Sequence, residues 1–370
     1  MNTVLVDNRE SNEREPMKIF ITGQHASLLP SNDEYGFPSR LFYTALTKLG
    51  ISWGSEVNGN YMISINHNSS SHKKFVKQGY GPERCILIRT EPESVFPAQY
   101  SPRVENKYGL ILSPGKINES PIIHQFYEFQ EAHGGPGFPE MDTKQLVTLS
   151  IKNNNFDFDR WENRKIDVAM IASNKFSPLK VNGYKLRREI ARNVHGGGIT
   201  IYGKYWNDNL VHKLNQFARM YIFNLRNFTL PFLDFTQLRS SRSINVLGEV
   251  DLKSLILPEI KFLLVIENSM NVLTEKLFDA MLMGAIPIYV GPNLDTFGIP
   301  QATYISVNPN LNEICRVISQ LNMFEVATYL DEIRKFITSD YFFNTWCDEA
   351  PYGKIAHRIQ GYINSVQVSQ

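Results

Sequence analysis

Short apolar runs alternate with longer amphipathic stretches along most of this chain, and that alternation leaves few folds open. The first series begins with Lys18–Gly23 (KIFITG), a strand pattern, and continues over residues 39–49, where Leu41, Phe42, Ala45, Leu46 and Leu49 mark one face of a helix. Further strands are predicted at Tyr61–Ile65 and at residues 85–90, 108–113 and 121–126. A polar stretch at 153–165 (NNNFDFDRWENRK) reads as an interdomain linker. Beyond it a second series opens with IDVAMIAS at 166–173 and continues with a helix at 185–194, glycines at 196–198 and a strand at 199–203. It closes with a strand at 262–266, a helix at 274–283 and strands at Ile286–Val290 and 303–307. Repeated β-then-α units predict mostly parallel sheets covered by helices. Two such series predict an α/β protein with two Rossmann-like domains and a cleft between them. The expected division is 1–160, 161–345 and a helical tail at 346–370.

Composition removes several classes of function. Lys plus Arg (38) nearly cancel Asp plus Glu (37), so there is no overall positive field to hold a nucleic-acid backbone. The three cysteines, Cys85, Cys315 and Cys347, stand far apart with no CxxC or Cys/His cluster, which argues against zinc or a disulfide framework. The stretch before Lys18 is polar and has no apolar run of signal-peptide length, and no apolar run of spanning length occurs anywhere. A reducing, cytoplasmic setting is expected, with peripheral contact to a membrane left open; oligomeric state is not legible. The sequons at Asn68 and Asn227 carry little weight without a secretory route.

The segment at 261–292, KFLLVIENSMNVLTEKLFDAMLMGAIPIYVGP, concentrates the chemistry. An apolar strand ends at Ile266, and Glu267, Asn268 and Ser269 follow where a parallel sheet presents its ligand-binding edge. Thr274 is then expected to cap a helix, with Glu275 and Lys276 in its first turn and Gly284 just past its end. Helix N–H groups, the helix dipole and Lys276 would together favour a diphosphate. A plain buried strand-helix-strand unit would not require so many ionisable and amide groups at those two points.

This segment resembles the C-terminal signature of the α-1,3-fucosyltransferase family: Glu267-Asn268-Ser269, then Thr274-Glu275-Lys276, then Gly284-Ala285-Ile286-Pro287-Ile288-Tyr289-Val290-Gly291. The resemblance implies a GT-B fold, with an N-terminal acceptor domain and a C-terminal sugar-nucleotide domain. It implies an inverting transfer of fucose from GDP-fucose to a hydroxyl of a glycan acceptor. On the same footing Lys276 and Glu275 would contact the diphosphate and sugar, Asn268 would line the pocket, and Arg187, with Arg188 as its competitor, would meet the phosphates. Residues 201–204, ending in Lys204, resemble the family's next strand and turn, and Glu267 is a further candidate at the strand end. Glu91, directly after the strand at 85–90 and before the strand-breaking Pro92, would be the general base, with Glu93 as its alternative. Residues 92–100 would form an acceptor-side loop.

Two departures from the pattern stand out. Only four residues, Met270 to Leu273, separate Ser269 from Thr274, a shorter spacer than the family's, and Val272 occupies the place of an aromatic residue. Those departures leave open a different nucleotide sugar on the same fold, or a catalytically silent carbohydrate-binding protein. Tyr289 and Tyr202 are the candidates to replace the lost ring. Asp157-Phe158-Asp159 matches a D-x-D metal pattern but lies in the polar stretch rather than after a strand, while His133 and His195 sit in glycine-rich turns. No cofactor and no metal are expected, since Arg and Lys can hold the phosphates.

Overall fold

The computed structural model describes residues 18–23, 37–54, 59–113, 123–125, 142–177, 179, 182–193, 198–206, 210–226, 246–250, 253–347 and 349–368. Within them the alternation becomes two six-stranded parallel sheets. The first runs in the order β2-β1-β3-β4-β5-β6, from β1 (Lys18–Gly23), β2 (Ser52–Gly54), β3 (Tyr61–Ile65), β4 (Cys85–Ile88), β5 (Leu110–Ser113) and β6 (Ile123–Gln125). Its side chains sort with period two, as strand geometry requires. Ile19, Ile21, Tyr61, Ile63, Ile86, Ile88, Leu110 and Leu112 face one layer. Phe20, Met62, Cys85, Leu87 and Ile111 face the other, against Phe75 of α2 (Ser69–Val76) and Val104 of α3 (Pro102–Glu105).

The layer over the first set is built from both ends of the chain. Helix α1 (Phe37–Lys48) contributes Phe42, Tyr43, Ala45 and Leu46. Helix α13 (Glu349–Val368), the tail, returns to lay Tyr352, Ile355, Ala356, Ile359 and Ile363 on the same face. Its Gln360 amide donates to the Leu49 carbonyl at 3.2 Å and its Tyr362 hydroxyl to the Glu83 carbonyl at 3.0 Å. Each large apolar side chain buried this way contributes about 1.5–3 kcal/mol, so the tail is part of the first core.

The second sheet runs β12-β11-β10-β7-β8-β9, from β7 (Ile166–Ile171), β8 (Thr200–Tyr202), β9 (Val246–Gly248), β10 (Ile260–Ile266), β11 (Ile286–Val290) and β12 (Ile305–Ser306). Strands β10 and β11 are buried along their whole length apart from a half-buried Lys261, the continuous apolar run expected of a central parallel strand. Helices α6 (Gly183–Asn193), α7 (Leu210–Arg226), α8 (Lys253–Ile256) and α9 (Lys276–Leu282) join these strands, and α10 (Leu311–Ser319), α11 (Val326–Ile337) and α12 (Asp340–Trp346) follow.

Several expectations shift. The polar stretch at 153–165 is not a bare linker, because it holds α5 (Phe158–Glu162), whose Trp161 is 5% exposed in the second core with Leu146 and Val147 of α4 (Thr143–Lys152). Asp157, the first aspartate of the D-x-D pattern, accepts from the Arg160 N–H at 3.0 Å and caps α5. Arg164 explains why this stretch packs: its buried guanidinium donates to the carbonyls of Asn155, Ile260 and Met283. Gly284, at φ +70°, lies so close to the Asn155 carbonyl that a side chain would have to displace it. Asn68 of the first sequon caps α2; Asn227, His133 and His195 lie outside the described residues. Among the described residues no helix is long and apolar enough to cross a membrane.

Candidate active site

Parallel strands leave unpaired backbone groups at their carboxyl ends, and five strand ends here open on one cavity of about 370 Å³. The segment after β4 supplies Thr90, Glu91 and Pro92; the one after β7 supplies Ala172, Ser173 and Lys175. Gly203 and Lys204 follow β8, Glu249 and Val250 follow β9, and Asn268 with residues 272–276 follow β10. The two sheets therefore form opposite walls. The segments beyond β4 and β7 also touch, where the buried Ser177 hydroxyl donates to the Ser94 carbonyl at 2.7 Å.

Glu91 lines the cavity on the first-sheet side. Burial pushes its carboxyl above the usual range, Lys175 and Lys276 across the cavity draw it back down, and Glu275 pushes it up again. Glu93, the alternative, is exposed and outside the cavity lining, beside Arg89 and Glu105. The turn at Pro92 explains the split: strand alternation would put residues 91 and 93 on one side, but the Val95 and Phe96 N–H groups bond the Pro92 carbonyl and carry the chain away after Glu91.

The second wall is cationic. Lys175, Arg187, Lys204, Lys253 and Lys276 line the cavity against Glu91, Glu249 and Glu275, five positive groups against three negative. Arg187 is 2% exposed; its guanidinium donates to the Ile266 carbonyl and lies 5.0 Å from the Tyr184 ring centre. Burial lowers its pKa, while Tyr184, Glu267 and Glu275 support its charge. Its Nε has no acceptor among the described residues. Arg188 faces away from the cavity, bonding the Lys175 carbonyl at 2.7 Å over the Phe176 ring. Helix periodicity puts consecutive residues about 100° apart, so only one of the two arginines can line the site.

Glu267 has a structural place rather than a lining one. It is fully buried, and its carboxylate accepts from the Thr274 N–H at 2.9 Å, the Thr274 hydroxyl at 2.6 Å and the Tyr289 hydroxyl at 3.3 Å. This clamp corrects the expected helix start. Thr274 does not cap α9; it is pinned to the strand end, and the helix begins at Lys276 with Glu275 before it and no side-chain cap. The turn presents Thr274, Glu275 and Lys276 to the cavity, with the Lys276 ammonium 2.9 Å from the Glu275 carboxylate and 3.1 Å from the Thr274 hydroxyl. Gly183 is required beside it. Its N–H donates to the Asn268 carbonyl at 3.1 Å, and a Cβ there would overlap the Glu267 carbonyl. Asn268 and Lys204 both line the cavity, Lys204 in a half-exposed pair with Glu249 at 3.0 Å.

Neither proposed replacement ring reaches the site. Tyr289 is 2% exposed on Glu267, and Tyr202 packs in the second core; among the described residues Tyr184, at the start of α6, is the aromatic side chain that lines the cavity. Sequence reasoning also passed over Lys175, Glu249 and Lys253, the last bonded to the buried Asp279 at 2.9 Å. A position just beyond a strand's carboxyl end was the available signal for Lys175. Glu249 follows the three-residue strand β9, too short to leave a pattern.

No protein-family model matches the sequence, and no curated protein matches it at the sequence level. Solved structures do resemble its fold. An α1,3-fucosyltransferase superposes at TM-score 0.53 with 14% identity, covering 97% of this chain and 92% of that one. The same enzyme with GDP gives 0.53 and 15%, covering 97% and 93%. The Anabaena protein Alr3699/HepE in complex with UDP gives 0.51 and 11%, covering 93% and 100%. At such identities the likeness is one of architecture: the chain has the GT-B fold, two Rossmann-like α/β domains that open on a common cavity.

Proposed function

We propose that this chain is an inverting glycosyltransferase of the α-1,3-fucosyltransferase kind, moving fucose from GDP-fucose to a hydroxyl of a glycan acceptor. The observation that carries the reading is a half-buried carboxylate, Glu91, on the first-sheet side of one cavity whose other wall is lined by cations. Transfer from a nucleotide sugar needs those two things on opposite sides of the anomeric carbon. Glu91 takes the acceptor's proton as its oxygen attacks; the bond from the sugar to the phosphate breaks on the other face, and GDP departs with the electron pair. A positioned base contributes typically 10²–10⁴-fold. Lys276, Arg187 and Lys175 stabilise the negative charge that develops on the departing diphosphate, Arg187 from a buried position where water screens it least and Lys175 from an exposed one. Structural neighbours are described with GDP and with GDP-fucose, which agrees with the signature residues Thr274, Glu275 and Lys276. One neighbour is described with UDP, so a uridine sugar is the second reading, favoured by the missing ring at Val272.

With five cationic side chains around the cavity, the proposed chemistry uses no divalent metal and no cofactor. Release of GDP from GDP-fucose, with or without a glycan acceptor, is expected to persist in excess EDTA. Complete loss restored by Mn²⁺ would overturn the metal-free account.

A further inference from the structure

A base on a loop is useful only if the loop is rigid, and Glu91 stands three residues beyond the end of β4. The sheet ladder follows the chain only as far as Arg89, whose N–H donates to the Leu112 carbonyl at 2.8 Å. From Thr90 onward, side chains take the ladder's place. Asn66, just past β3, is 2% exposed and turns back over this segment. Its Oδ1 accepts from the Thr90 N–H at 2.9 Å and, more weakly, from the Glu91 N–H at 3.4 Å, and its Nδ2 donates to the Thr90 hydroxyl at 2.6 Å. From the other side the Glu91 carbonyl accepts two bonds at 3.0 Å, one from the fully buried Gln99 amide and one from the Tyr100 hydroxyl.

The far side of this frame is fixed as well. Arg89, fully buried, donates to the Gln99 carbonyl at 2.5 Å and to Glu105 at 2.8 Å, and its guanidinium lies 4.1 Å from the Tyr100 ring centre. Asn66 itself sits at φ +55°, a left-handed conformation that asparagine tolerates better than most residues and that turns its amide onto β4.

We infer that Asn66 is the positioning residue for Glu91, and that with Gln99 and Tyr100 it forms a rigid mount for the carboxylate. The inference rests on the reading of Glu91 as the base. Asn66 does not line the cavity; it acts through residue 91.

The test uses three variants of the full chain, read by GDP release from GDP-fucose and by calorimetry with GDP. Asn66→Gly removes the amide while keeping a residue at ease with positive φ. Its kcat should fall by about tenfold or more, the scale of losing a fixed reacting geometry, with GDP affinity within about twofold of the original. Tyr100→Phe keeps the ring under Arg89 and should lower kcat about two- to tenfold, the share of one neutral hydrogen bond. Asn66→Asp keeps the acceptor for both N–H groups and adds a carboxylate beside Glu91, which otherwise faces Lys175, Lys276, Glu275, Tyr184 and Tyr100. It should hold its plateau rate near the original while the acid limb of its pH profile moves to higher pH.

A purely structural role for Asn66 would lower the melting temperature and leave kcat and the acid limb unchanged, which would overturn the inference. So would a kcat loss in Asn66→Gly or Tyr100→Phe matched by an equal loss of GDP affinity. If Asn66→Gly fails to fold, Tyr100→Phe and Asn66→Asp decide the matter. Unimpaired turnover in Glu91→Gln would instead remove the base reading beneath it. Loss in Glu91→Gln with none in the mount variants would sink the mount alone.

Discussion

Replacing Glu91 with glutamine is expected to lower turnover of GDP-fucose by about 10²-fold or more while GDP binds as before. Glutamine keeps the size of the side chain and one hydrogen bond, but it has no site for the acceptor's proton. The pH dependence follows from the direction of the shift. Burial holds Glu91 above the ordinary carboxylate range, so its ionised, competent form is lost on acidification at a higher pH than for an exposed glutamate. The stability sign runs the other way. A carboxyl whose pKa is raised by folding contributes stability that is fully present below the unfolded pKa and lost as pH rises through the folded one. Ionised Glu91 is thus a cost to the fold at neutral pH, and the contacts of Asn66, Gln99 and Tyr100 to its backbone act against that cost. Near-normal turnover in Glu91→Gln would move the base to another group, with Glu93 the next to test despite its exposed position.

Lys276→Ala should give the opposite signature, weakening GDP binding by about 1.5–3 kcal/mol, the range for a hydrogen bond to a charged group, and slowing transfer as well. The upper part of that range is expected. Removing the ammonium also leaves the Glu275 carboxylate, now 2.9 Å from it, without that cation and beside the diphosphate. Calorimetry with GDP reads the first effect and GDP release the second. Unchanged affinity would show that the diphosphate lies elsewhere in the cavity, nearer Lys175 or Lys253.

Much of this arrangement can be read from the chain, and the exceptions have physical reasons. The apolar strand at residues 262–266 and the polar Glu267-Asn268-Ser269 after it announce a sheet edge, because a central parallel strand must be apolar along its length and its end must not be. Glu267 shows the limit of that inference. Its type and position suit a ligand contact, yet its carboxylate is consumed by Thr274 and Tyr289, partners whose nearness is set by packing rather than by spacing. The tail was legible as a helix but not its destination, since an amphipathic face does not name the surface it will cover; α13 covers the first sheet from the far end of the chain. Asn66 was equally silent, because its φ and its reach to Thr90 exist only once β3 and β4 pair. Lys253 belongs to the same class, brought to the cavity by its bond to the buried Asp279.

The central claim is that this cavity holds a guanosine diphosphate sugar, and calorimetry of the unmodified chain with GDP, UDP and CMP tests it most directly. The account predicts one GDP site per chain, weakened by Lys276→Ala and kept by Glu91→Gln, with UDP and CMP binding more weakly. Preference for UDP would replace the donor while leaving a GT-B transferase, and no binding of any of the three at millimolar concentration would contradict the account.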